Sequence, residues 1–400
     1  MPGIDEFPEL TPKYKVVIQG VTPQEDVTSL ITSVKYEDNA WIADIIELEV
    51  NLSPNLEVDP GVLIGKEFGP LLDSKLFAEG NFIDLYMGYG NDLVFMQRCR
   101  IQKWLPDFPE GDQPKLTIKA FGLESELSSE VSDSDKEYKS FSKLSGSQMV
   151  ERLIQWLAKR LGIGIIAEVE STAGVKTQAL EKGKNPMDLI QELCKQYGFD
   201  FYIDYDLDRA SYVAHFHPRR VQTGPKYVFW YNHGDVTTLL SFNPSFTTSD
   251  TITDMEVVAW DKKKEQPIRY RITKKEKGVD VKVVPGLSAD DMKIEDAIGN
   301  AAETKYSASG EMVVTINTSF TSLDQVKAFA EAQMKSAGEN MITAKGRIIG
   351  AEVIRSKQTH LIKGVGTRLS GDYMFDIVRH TMDPEGGYIT EFDCRKVMTG

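Results

Sequence analysis

Along Trp41–Leu52 the even positions Ile42, Ile46, Leu48, Val50 and Leu52 are apolar, and the later odd positions Glu47, Glu49 and Asn51 are polar. A period of two marks a strand with one buried face. Similar runs predict strands at Tyr14–Gln19, Phe82–Tyr89, Val94–Leu105 and Lys115–Phe121. Gly90, Asn91 and Asp92 make a hairpin turn between two of them, and Pro106, Pro109, Gly111 and Pro114 punctuate the next gap. One helical interruption is expected near Lys66–Ala78, where Phe68, Leu71, Leu72 and Leu76 are spaced helically. Residues 1–127 therefore read as a β unit of sandwich or barrel type.

The pattern then changes. Residues 128–146 are rich in Ser and charge and read as a linker. Residues 147–224 read as a small helix–helix–hairpin domain. Ser145 and Gln148 fit a capping box, Val150, Leu153, Leu157 and Leu161 share one helical face, and Gly162 ends the run. A second helix starts at the N-cap Asn185 with Pro186 in the first position and Asp188 in the first turn. Leu189, Leu193 and Tyr197 form its apolar face, and Gly198 stops it. Phe199, Phe201, Ile203 and Tyr205 then alternate as a strand, with Ala210–His217 as its hairpin partner.

From residue 225 the β pattern returns, with strands expected at Val236–Phe242, Ile252–Trp260 and Ile268–Thr273. Residues 274–310 are weakly patterned and read as a loop insertion, with a short helix around Asp290–Ala302. Ser322 and Gln325 cap a further helix at 322–337, carried by Val326, Phe329, Ala330, Met334 and Ala337 and ended by Gly338. Strands resume to Lys396. No repeat between the two β-rich parts is visible in the sequence. The fold class is α+β and mainly β.

Composition narrows the function. A hydrophobic content of 41% supports real cores, and a net charge of −14 suits a partner other than a phosphate backbone. The three cysteines, Cys99, Cys194 and Cys394, are far apart, which argues against a disulfide framework and suits a reducing compartment. The acidic, Pro-containing N-terminus is unlike a signal peptide, and no run approaches the roughly 18 apolar residues of a membrane span. No membrane insertion is expected.

Candidate chemistry is sparse. Asp204, Asp206 and Asp208 open like a calcium loop, but Arg209 stands where that loop needs Gly and His215 where it needs Glu. A polar hairpin tip is the simpler reading. His215 and His217 share one side of a strand and could join His233 on a metal, but no carboxylate or Cys stands at a telling spacing. The glycine runs at 364–371 and 88–91 lack a P-loop pattern and read as tight turns. Glu47 and Glu49 fit a solvated strand face better than a glycosidase pair. No catalytic, cofactor-binding or metal-binding residue is assigned.

The order of elements carries more information. Asn185, Pro186, Leu189, Gly198 and Phe199 form a helix motif leading into an aromatic hairpin. Ser370, Gly371, Tyr373, Val378 and His380, followed by Gly386, Gly387, Tyr388, Thr390 and Phe392, form a closing motif. Together with the two flanking β regions they resemble the phage late-control D and baseplate hub family, which includes the hub part of type VI secretion spike proteins. The resemblance implies two tail-tube-type antiparallel β-barrels, at 1–127 and 225–400, with the small domain between them. It implies a homotrimeric, non-enzymatic baseplate hub that presents six barrels, encloses a channel and adapts a hexameric tail tube to a trimeric spike. The implied partners are the tail tube or a tube-initiator protein, a separate spike protein because the chain stops at Gly400, and a tape-measure protein, with DNA only as passing cargo. The implied location is the baseplate of a virion or particle tail assembled in the bacterial host cytoplasm. An acidic channel lining is expected to repel DNA. The alternatives are a tail-associated cell-wall hydrolase and a host-surface polysaccharide-binding module.

Overall fold

The computed structural model describes residues 11–20, 23, 28–52, 75–110, 113–132, 138, 140–172, 176–179, 184–219, 226–232, 238–246, 254–261, 266–275, 278–282, 303–306, 312–317, parts of 323–331, and 342–397. Of the helix expected near Lys66–Ala78, only a 3-10 turn at Lys75–Phe77 falls within them. His233, the 290–302 segment, and Ser322, Gln325, Met334 and Ala337 of the later helix lie outside the described residues.

The first six strands are β1 (Pro12–Ile18), β2 (Ile31–Asn39), β3 (Ile45–Asn51), β4 (Phe82–Tyr89), β5 (Asp92–Asp107) and β6 (Lys115–Phe121). They pair antiparallel in the order β1-β4-β5-β6-β3-β2. Their alternating apolar residues, among them Val16, Val34, Ile46, Leu48, Leu85 and Ile118, close around one core.

The middle of the chain supplies β7 (Ser140–Leu144), α1 (Gly146–Leu161), β8 (Ile165–Val169), β9 (Lys176–Ala179), α2 (Pro186–Tyr197), β10 (Phe199–Asp206) and β11 (Ser211–Pro218). The β10–β11 hairpin gains β8 as a parallel third strand, and β7 pairs with β9. Both helices lay their apolar faces on a second core containing Leu153, Trp156, Leu157, Leu189, Leu193 and Phe216.

The rest of the chain holds β12 (Val228–Trp230), β13 (Leu239–Phe246), β14 (Asp254–Asp261), β15 (Gln266–Lys275), β16 (Gly278–Lys282), β17 (Glu303–Tyr306), β18 (Met312–Asn317), β19 (Ile342–Ile349), β20 (Thr359–Lys363), β21 (Gly371–Asp383) and β22 (Gly387–Lys396). β14–β18 leave the second β region and form a five-stranded sheet of their own. Val257, Ala259 and Tyr270 of that sheet pack on Val326 and Ala330. The excursion between β13 and β19 is thus wider than the loop expected at 274–310.

The remaining strands pair in the order β12-β20-β21-β22-β19-β13 around a separate core that includes Ile348, Tyr373, Phe375 and Phe392. This is the order of the first six strands repeated. Irregularities repeat as well. β2 bulges between Ile31 and Ser33 against β3, and β13 bulges between Leu239 and Ser241 against β19. β5 bulges between Ile101 and Lys103 against β6, and β21 bulges between Phe375 and Ile377 against β22. The cross-strand row Ile101–Ala120–Ile46–Tyr36 therefore corresponds to Phe375–Cys394–Ala344–Pro244. The row Pro106–Leu116–Val50–Ile31 likewise corresponds to His380–Thr390–Ile348–Leu239. Each bulge shifts the side-chain phase of its strand, so coincident bulges keep coincident buried faces. One difference remains: β1 meets β4 antiparallel, and β12 meets β20 parallel. The two β halves join through antiparallel pairing of β2 with β21, which makes one continuous sheet.

Candidate functional site

The two sequence motifs fall in different places. In α2, the Asn185 side chain accepts from the Asp188 N–H at 2.9 Å, and the Asp188 carboxylate accepts from the Asn185 N–H at 3.0 Å. Pro186 occupies the first turn, where its missing N–H costs nothing. Gly198 ends the helix at φ 67°, and the Phe199 ring packs tilted against Phe216 at 4.8 Å. Leu189 is buried beside them. This motif builds the small domain's core and delivers β10 to its neighbours.

The closing motif builds the seam between the β halves. Gly371 starts β21 and Gly387, at φ 66°, starts β22. The Tyr373 hydroxyl donates to the Leu369 carbonyl at 2.6 Å, and Val378 is buried in the core of the second β half. His380 is fully buried. Its Nε2 donates to the Ile354 carbonyl at 3.0 Å, and its Nδ1 stands 3.0 Å from the Tyr388 hydroxyl and 3.1 Å from that of Thr390. Carbonyl acceptance fixes the tautomer, so Nδ1 is the acceptor. Burial first, then the Arg355 charge, pushes the His380 pKa down to about 3. Tyr36 of the first half stacks on His380 at 6.1 Å, and Tyr89 packs on Tyr388 at 5.6 Å while donating to the Gly350 carbonyl at 2.9 Å. Asp38 accepts from the Ser356 N–H and hydroxyl, and Arg355 donates to the Phe95 carbonyl at 2.9 Å.

A second polar seam docks the small domain on the first half. Glu124 accepts from the Ile203 N–H. Gln97 donates to Asp44 at 3.2 Å and to Asp204 at 3.3 Å, and accepts from the Tyr205 N–H at 3.3 Å. Arg98, paired with Asp84 at 2.6 Å, lies 3.8 Å over the Tyr205 ring. Lys357 of the second half reaches the Tyr202 ring at 3.5 Å. Asp44 also accepts from Tyr36 at 2.8 Å and from the Asn39 N–H at 3.1 Å. Burial, with the charges of Asp38 and Glu124, holds its carboxyl well above the usual range. These groups couple all three units through mutual hydrogen bonds and the Lys357–Tyr202 ring contact.

Glu124 gives a pH signature. Burial pushes its pKa up from an ordinary 4.5 to about 7, and its Oε2 has no hydrogen-bond partner among the described residues. A raised folded pKa contributes stability below pH 4.5 that is lost as pH rises through 7. Glu124→Gln keeps an acceptor for Ile203 and removes the charge. The expected result is unchanged urea stability near pH 4.5 and a gain of about 1–3 kcal/mol near pH 8. Equal effects at both pH values would show that the carboxyl does not titrate in the fold.

The remaining candidates are occupied by local structure. The Asp206 carboxylate accepts from the Asp208 and Arg209 N–H groups at 2.9 and 3.0 Å, which makes an Asx turn at the hairpin tip. His217 Nδ1 donates to the Pro218 carbonyl at 2.9 Å, leaving Nε2 to accept from Tyr202 at 3.2 Å. His215 faces Glu168 at 3.4 Å and stacks on Tyr202 at 4.6 Å. Glu47 pairs with Lys119 and Lys35, Glu49 with Lys115, Asp393 with Arg379 and Lys345, and Glu391 with Arg347. The polar face of the continuous sheet thus carries mixed charge.

Sequence reasoning did not single out Asp44, Gln97, Glu124, Arg355 or Lys357. They are isolated polar residues at sequence separations that only the folded chain closes.

No family model and no curated protein matches the sequence. Solved structures match over nearly the whole chain. A tail protein from Neisseria meningitidis aligns with a TM-score of 0.64 at 9% identity, covering 96% of this chain and 97% of that one. The tail protein of prophage MuSo2 from Shewanella oneidensis gives 0.61 at 12% identity, with 96% and 98% covered. An Escherichia coli type VI secretion component, itself described as similar to T4 phage tail proteins, gives 0.50 at 10% identity, with 96% and 77% covered. At such identities the likeness is one of fold. The chain has the mainly antiparallel β fold of these tail proteins, which is the fold that the two motifs implied.

Proposed function

We propose that this chain is the structural hub of a contractile tail or related injection apparatus. Three copies form a ring of six tube-type units that adapts a sixfold tail tube to a threefold spike and encloses an axial channel. The observation that carries this reading is the fold likeness to tail proteins across 96% of the chain. The repeated strand order supports it, because one chain holds two like-wound units joined edge to edge and three chains supply six. The role is assembly, without a catalytic step. The partners are a tube or tube-initiator protein, a separate spike and a tape-measure protein, in the baseplate of a particle assembled in bacterial cytoplasm. DNA passes as cargo along a channel wall of mixed charge that offers it no continuous basic track.

The test is the oligomeric state of the purified chain, alone and with its spike protein, by light scattering and electron microscopy. Threefold particles with an axial opening are expected. A monomer at micromolar concentration in both conditions would overturn the reading.

A further inference from the structure

The seam inside the chain has a counterpart that the described residues of one copy leave open. In that seam β2 pairs with β21 at Val34↔Met382, Lys35↔Thr381, Tyr36↔His380, Glu37↔Arg379 and Asp38↔Val378. The coincident bulges set β13 in the place of β2 and the outer part of β5 in the place of β21. Among the described residues β13 pairs only with β19, and it ends the sheet path. The outer part of β5, Lys103–Asp107, pairs with β6 on one side, while β4 covers only Asp92–Arg100 on the other. The exposure follows this difference. Val378, His380 and Met382 are 0%, 0% and 7% exposed, whereas their counterparts Trp104 and Phe108 are 38% and 55% exposed and Pro106 is also exposed. Phe246, in β13, is 40% exposed.

We propose that the outer part of β5, with Phe108, pairs antiparallel with β13 of a second copy and repeats the internal seam between copies. This rests on the hub reading above and specifies its interface. Transferring the internal register sets Phe108 opposite Phe242, Asp107 opposite Asn243, Pro106 opposite Pro244, Leu105 opposite Ser245 and Trp104 opposite Phe246. Two aromatic pairs thus face across the seam. A cavity of about 460 Å³ lined by Phe246, Val365, Arg368 and Leu369 lies beside β13, and the transferred register sets Trp104 of the second copy opposite Phe246. Pro106 and Pro244 meet at one level, where neither donates an N–H. The seam therefore depends on side-chain burial more than on its ladder, and the prolines deter unrelated strands from adding to either edge while the copy is free. The contact is heterologous, using one edge of the first half and one of the second, so it propagates from copy to copy and closes into a ring.

Cysteine pairing tests the register. Residues directly opposite in an antiparallel pair have Cα atoms about 4.5–5.5 Å apart, within disulfide reach, and diagonal ones about 7–8 Å apart, beyond it. The full chain carrying Leu105→Cys and Ser245→Cys, both exposed positions, is oxidised at micromolar concentration with and without the spike protein. Reducible dimers and trimers are expected on a denaturing gel, with a several-fold lower yield from Leu105→Cys with Asn243→Cys. Each single variant measures background from the native Cys194. Trp104→Glu with Phe246→Glu should convert trimers to monomers with an unchanged circular dichroism spectrum. Trimers that form without the 105–245 bond, or with equal bonding to position 243, overturn this seam and leave the hub reading standing. Monomers in every condition overturn both.

Discussion

His380→Ala is expected to lower the unfolding free energy by about 3–5 kcal/mol in urea titration. Two losses combine. The imidazole is fully buried between Tyr36 and Tyr388, so its removal leaves a cavity at the seam of the two β halves. The Ile354 carbonyl loses its donor, and the Tyr388 and Thr390 hydroxyls lose their shared acceptor. A cost below about 1 kcal/mol would mean that water replaces the ring and that the knot is less closed than its geometry. His380→Gln separates packing from titration. The folded pKa of about 3 lies below the unfolded value near 6.5, so neutral His380 contributes stability that is complete above pH 6.5 and lost as pH falls toward 3. Within that window the wild type should lose up to ~1.4 kcal/mol per pH unit relative to His380→Gln. Buried His360, lowered to about 4, adds a slope of the same sign, and Glu124 adds one of opposite sign. Both are shared by wild type and variant and cancel in the difference.

Gly350→Ala is expected to cost about 3 kcal/mol by overpacking. A Cβ at Gly350 would stand 2.1, 2.3 and 2.5 Å from three atoms of the Tyr388 ring. The ring has no easy retreat. Its hydroxyl is held at His380, its backbone carbonyl accepts from the Gly350 N–H at 2.9 Å, and its far side packs on Tyr89. Position 350 therefore requires hydrogen because an aromatic ring passes directly over the backbone. Gly164→Ala is the control, since a Cβ there meets nothing within 4 Å, and its expected effect is within about 0.5–1 kcal/mol of zero. Thermal unfolding of the pair should show a lowered midpoint for the first variant only. Equal midpoints would mean that β19 shifts away from Tyr388 without penalty.

Both positions belong to the seam that makes one sheet of two halves, and that seam was only partly legible in advance. The closing motif contains His380 and Tyr388, but of its partners only Tyr89 falls in a predicted strand, whereas the segment of Tyr36 has no predicted element and Ile354 sits in a connection between strands. The small domain was more legible. Ser145, Gly162, Asn185, Pro186 and Gly198 stand at the ends of α1 and α2 with the capping geometry their types favour. Their preferences act over three or four residues, so local sequence is sufficient to express them.

The sequence by itself determined the strand alternation, both helix boundaries of the small domain and the turn at Asp206. These follow from periods of 2 and 3.6 residues and from hydrogen bonds between near neighbours. Tertiary structure alone decided the repeated strand order, the separate sheet of β14–β18 and the buried polar contacts of Asp44, Gln97 and Glu124. Strand order depends on which distant edges meet, and alternation is the same whichever partner a strand takes. The repeat is hidden for a related reason. Tyr36 corresponds to Pro244, and His380 to Pro106, because one pair is buried against its partner within the chain and the other lies at exposed edges. Equivalent backbone positions in unlike surroundings favour unlike side chains.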